Sequence, residues 1–72
     1  MITIRNLRKD NKMSQQELAD VLNITREALS HYETGRREPN LRMLMKMSEY
    51  FGVSIDYLVT GREYVKSDRK LK

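Results

Sequence analysis

Arg26, Glu27, Ser30 and His31 fall together in the stretch TREALSHYETG. If Leu29 and Tyr32 face a core, a helix of about 3.6 residues per turn projects these four, with Thr34, from its opposite side. Their chemistry suits the hydrogen-bonding edges of nucleic-acid bases. A guanidinium donates twice to guanine O6 and N7, a carboxylate accepts from cytosine N4, and a hydroxyl or an imidazole donates or accepts. Taken alone, each is equally an ordinary solvated surface residue. Glu27 has a further reading, orienting Arg26 or excluding wrong bases, and His31 has one as a phosphate contact.

Other chemistries find little to work with. The 72-residue chain has no cysteine and a single histidine, so neither a disulfide framework nor a zinc site is expected. It carries no glycine-rich phosphate loop and no nucleophile motif, and a domain this small has no room for a sizeable substrate cleft. An enzyme, a metal or a cofactor is therefore not expected. The opening MITIRNLRKD lacks the apolar stretch of a signal peptide, and no apolar run reaches membrane-spanning length. The expectation is a cytoplasmic protein without a membrane partner. Of the net charge of +4, three units lie in the tail, where Arg62, Lys66, Arg69, Lys70 and Lys72 oppose only Glu63 and Asp68. Residues 62–72 read as a basic tail, either a solvated terminus or an accessory arm for a polyanion, following one domain over residues 1–61.

The elements that must hold the four side chains are marked by apolar spacing. Ile4 and Leu7 begin one helix; Leu18, Ala19 and Leu22 fit a second; Leu29 and Tyr32 a third; Leu41, Leu44, Ser48 and Phe51 a fourth; Ile55, Leu58 and Val59 a fifth. No segment alternates as a strand does. Ser14-Gln15-Gln16-Glu17 is a capping box, with Met13 and Leu18 placed as a hydrophobic staple. Ile24-Thr25 with Leu29, and Val53-Ser54 with Leu58, repeat the arrangement of apolar residue, hydroxyl cap and apolar residue. Gly35, Gly52 and Gly61 each follow a periodic segment, and Pro39 sits in the link before the fourth. Asn23 takes the glycine role between the second and third helices, since asparagine tolerates positive φ. Two helices joined by so tight a turn form a helix-turn-helix unit, in which the small Ala19 permits close approach.

At this point the chain resembles the phage-repressor and Cro, or Xre-type, family of helix-turn-helix regulators. The resemblance runs from about Ile4 to Gly61 and is carried by IRNLRKDNKMSQQELADVLNITREALSHYETGRREPN and FGVSIDYLVTG. The main departure is Asn23, where the family often has glycine. The resemblance implies an all-α, lambda-repressor-like bundle of five helices whose third helix enters the DNA major groove. Arg26, Glu27, Ser30 and His31 resemble the family's base-reading residues. Arg36 and Arg37 stand where it has phosphate-contacting cations, and Gln15 matches a backbone contact. Asn40 starts the fourth helix, whose free amides favour an anion such as phosphate. Arg8 and Glu33 fall where relatives hold an ion pair, a scaffolding role rather than a catalytic one. Met43, Met45 and Met47 read as gap-fillers with partial exposure, or as an adaptable binding surface.

Helix five shows an apolar stripe wider than Leu58 alone needs for docking, and in the resembling repressors this helix meets its two-fold mate. The expected interface is Ile55, Tyr57, Leu58 and Val59, with helix four or Tyr64-Val65 as the fallback; alternatively, Ile55 and Val59 only cover the end of the bundle. The function implied is a sequence-specific transcriptional regulator, a repressor binding a palindromic operator as a homodimer. The alternatives within the fold are an antitoxin paired with its toxin, a module held by an antirepressor, or a restriction-modification controller.

Overall fold

The computed structural model describes residues 1–62. The tail from Glu63 onward, with Tyr64 and Val65, lies outside the described residues. The chain is all-helical over this span, with α1 at Ile2–Asp10, α2 at Gln15–Leu22, α3 at Arg26–Thr34, α4 at Leu41–Phe51 and α5 at Ile55–Thr60. None of these helices is long and apolar enough to cross a membrane.

Each boundary has a local cause. Ser14 Oγ accepts from the Glu17 amide at 3.0 Å while Glu17 Oε1 accepts from the Ser14 amide at 2.8 Å, closing the capping box at the start of α2. Thr25 caps α3 through the Ala28 amide at 3.0 Å, Asn40 caps α4 through Met43 at 2.9 Å, and Ser54 caps α5 through Tyr57 at 2.9 Å. Each such bond satisfies an amide that the helix itself leaves free, and contributes about 1 kcal/mol. Asn23 ends α2 at φ 62°. From there the Ile24 amide returns to the Ala19 carbonyl at 2.9 Å, so α3 can begin within three residues.

The core takes at least one buried side chain from every helix: Ile4, then Leu18, Ala19 and Leu22, then Leu29 and Tyr32, then Met47, then Leu58. Two expectations for α4 are corrected. Leu41 is 64% exposed rather than part of the buried stripe, and Met47 is fully buried rather than a partly exposed gap-filler. The inward arc of α4 is centred on Met47 and flanked by Met43, Leu44 and Phe51. At about 100° per residue, Leu41 lies roughly 120° around the helix from that centre and Met45 almost opposite it. On α5, Leu58 has no exposed surface, so its place in the expected dimer interface is also corrected. It is the anchor that docks the helix, and an anchor cannot meet a second molecule.

Candidate nucleic-acid interface

The position of α3 follows from its own inward face. Leu29 and Tyr32 fix its azimuth in the core, and Glu33, also buried, ties it to α1. Arg8 Nε donates to Glu33 Oε2 at 2.7 Å and Arg8 Nη2 to Glu33 Oε1 at 3.2 Å, a two-pronged pair between α1 and the end of α3. The third guanidinium nitrogen of Arg8, Nη1, donates to the Met13 carbonyl at 2.9 Å, holding the α1–α2 turn as well. Pairing of this kind satisfies both buried charges, and removing one partner costs about 3–5 kcal/mol.

With α3 fixed, its outward residues sort by exposure. Arg26 and Glu27 are exposed on the first turn, while Ser30 and His31 are half-buried one turn later. Thr34 is exposed too, but its hydroxyl donates back to the Ser30 carbonyl at 3.0 Å and so is occupied within the helix. The first-turn side chains are the more exposed and the second-turn pair the more covered. A ligand pressed onto this face meets a guanidinium and a carboxylate first.

The flanking cations are placed by the loop after α3. Arg36 and Arg37 are exposed, with their amides donating to the His31 carbonyl at 3.0 and 3.2 Å. The Arg37 guanidinium lies 5.8 Å from the centre of the Tyr32 ring, a cation–π distance that restrains an otherwise free side chain. Asn40 spends its side-chain oxygen on the cap of α4, so what it leaves for an anion is the helix's free amides, beside the exposed Arg42. The α5 residues Ile55 and Tyr57 are half-buried and Val59 is 60% exposed, on the element that packs against α1 and α4.

Gln15 was named from the sequence only as a backbone contact. In the structure its Nε2 donates to Glu33 Oε1 at 3.0 Å, and its Oε1 accepts from Arg26 Nη1 at 3.3 Å. It thus bridges the buried ion pair and the first residue of α3. Lys46 was not named at all; its ammonium donates to the Leu22 carbonyl at 2.7 Å and closes the end of α2. All three bonds join residues remote in sequence, and no local spacing signals them.

The helix-turn-helix family model matches residues 4–58, which spans α1 through the Leu58 anchor. The chain belongs to the Xre-type helix-turn-helix family. This helix-turn-helix chain is 43% identical over 63 residues to the uncharacterized HTH-type transcriptional regulator YqaE of Bacillus subtilis, covering 88% of itself and 54% of that protein. It is 36% identical over 62 residues to the HTH-type transcriptional activator BcrR of Enterococcus faecalis, covering 86% of itself and 30% of BcrR. With the cryptic phage CTXphi transcriptional repressor RstR of Vibrio cholerae it shares 33% identity over 69 residues, covering 96% of itself and 61% of RstR. The helix-turn-helix chain therefore spans roughly a third to three-fifths of these relatives. No solved structure matches it.

Proposed function

We propose that this chain is a sequence-specific DNA-binding transcriptional regulator, working in the cytoplasm as a homodimer that represses from a palindromic operator. The observation that carries the reading is the outer face of α3: Arg26, Glu27, Ser30 and His31 stand away from a core gripped by Leu29 and Tyr32 on the same helix. A helix docked in this way offers its first turns to a major groove, and Arg26 carries the side chain most often used to read guanine there. Arg36, Arg37, Gln15 and the start of α4 at Asn40 supply the sugar-phosphate contacts that set register. Repression is the activity named for the phage relative RstR and activation the one named for BcrR, and we take the former because the matched share of RstR, 61%, is twice that of BcrR, 30%.

The test is selection from a randomised duplex library, followed by titration of the enriched site. Arg26→Ala should cost about 1–3 kcal/mol on that site and relax preference at one base pair, while Arg37→Ala should weaken all sequences alike. A dimer with about six cationic contacts should lose affinity with salt at a log–log slope of roughly −5, made shallower by about 1 in Arg37→Ala. Equal losses on selected and random DNA for both variants would remove the recognition role from α3.

A second reading, in which a toxin or an antirepressor is the main partner, draws on the exposed Leu41 and Met45 of α4, which with Asn40, Arg42, Lys46 and Glu49 line an open groove. Specific operator binding by the purified chain alone, as a homodimer, favours the repressor reading over it.

A further inference from the structure

The outward face of α4 has no partner among the described residues. Leu41 is 64% exposed and Met45 49%, and with Asn40, Arg42, Lys46 and Glu49 they line an open groove. Beyond Lys46 and Glu49 the surface continues to Val21 and Tyr50, both exposed. Arg42 and Glu49 make no ion pair among the described residues. At about 100° per residue they stand within roughly 20° of each other, to one side of Met45 and about two turns apart along the helix. A face arranged in this way is complementary to itself. Two copies of α4 set antiparallel, with a two-fold axis midway between Met45 and Lys46, bring each Arg42 level with the other copy's Glu49, because both are equally far from that axis in sequence. The axis keeps the two on the same edge of the contact, and Met45 meets Met45 at its centre. A parallel pair levels Arg42 with Arg42 and Glu49 with Glu49, and neutralises neither.

We propose that this face pairs with a second copy of the chain, antiparallel through α4, and that this pairing and DNA binding exclude each other. The exclusion comes from overlap, and it rests on the reading of the α4 start as a DNA backbone contact. Asn40 and Arg42 line the groove that the second copy fills, so a paired copy covers the free amides and takes the cation that would face phosphate. DNA and the second copy therefore compete. Two exposed apolar side chains and one cation–carboxylate pair from each copy make a small interface, so the pairing belongs to high protein concentration. Surplus protein is stored face to face with its phosphate contacts covered, and is released as DNA sites become available.

The test uses the full chain carrying Ile55→Glu, which removes the proposed pairing through α5, at about 0.1–1 mM in sedimentation equilibrium. Adding Glu49→Arg should lower the self-association constant about tenfold, and combining it with Arg42→Glu should restore it, because the pair re-forms with its charges exchanged. The positions changed on α4 are exposed, and the melting temperature checks that each variant is folded. No self-association in the parent, or an unchanged constant in Glu49→Arg, overturns the proposal and leaves the groove to another protein. The chain has no cysteine, so Met45→Cys with an added thiol oxidant reports the arrangement directly. Met45→Cys chains should cross-link, whereas Glu49→Cys chains, whose substituted positions lie about 10 Å apart along the axis, should not. The reverse result marks a parallel pair and overturns the proposal. Excess selected duplex should reduce Met45→Cys cross-linking about fivefold or more. Cross-linking that persists while a gel shift at the same concentration shows the duplex bound overturns the proposal and leaves the DNA-binding reading standing. If selection enriches no duplex, that reading falls and takes the proposal with it.

Discussion

Lys12 sits in the α1–α2 turn at φ 58°, a left-handed conformation that its Cβ opposes by crowding the following carbonyl oxygen. Lys12→Gly should therefore stabilise the protein by about 0.5–1 kcal/mol, after allowing for the extra freedom glycine adds to the unfolded chain. In a domain of this size that is a rise of several degrees in melting temperature, roughly 4–8 °C per kcal/mol. A fall instead would mean that the turn is held by the lysine side chain. Arg8→Ala acts in the opposite direction and more strongly. It leaves the Glu33 carboxylate buried without its two-pronged partner and frees the Met13 carbonyl, so urea denaturation should report a loss of about 3–5 kcal/mol. A loss below about 1 kcal/mol would place the pair among solvent-screened surface bridges.

The helices are held at their ends as much as along their faces. Ser14→Ala and Thr25→Ala should each cost about 1 kcal/mol, because each removes the acceptor for one free amide. Unchanged melting in both would displace the starts of α2 and α3. These ends were the most legible part of the chain: capping residues act on neighbours three positions away, so Ser14, Thr25 and Ser54 announce their helices without any knowledge of the fold. The left-handed stops at Asn23, Gly35, Gly52 and Gly61 are legible for the same reason. The azimuth of α4 was not. Leu41, Leu44, Ser48 and Phe51 have helical spacing, but so do Met43, Met47 and Phe51, and only packing against the other helices chooses between two overlapping arcs. The choice is measurable, since Met47→Ala should cost about 2–5 kcal/mol and Leu41→Ala within about 0.5 kcal/mol. Comparable losses from the two would return Leu41 to the core. On α3 the outward face could be read from Leu29 and Tyr32, whereas the bridge through Gln15 joins three helices and leaves no periodic trace.

At the scale of the molecule, under the proposed reading one α3 would present few base contacts, and two related by a dyad about 34–36 Å apart would match one turn of DNA. The surface proposed for that pairing is Ile55, Tyr57 and Val59, with Leu58 withdrawn into the core. Ile55→Glu should leave the monomer folded, weaken self-association in sedimentation, and reduce operator affinity in a gel-shift titration. A variant still dimeric with full affinity would move the interface elsewhere. The withdrawal of Leu58 has a further consequence. It is the single fully buried side chain of a helix of six residues, so little besides that one anchor opposes local opening of α5. In dilute solution its backbone amide protons should be among the first to exchange with deuterium, ahead of those in α2 and α3. If a second copy rests on this helix, raising the protein concentration slows that exchange in α5 and leaves α2 almost untouched, so the deuterium clock of one short helix reads out the pairing of two molecules.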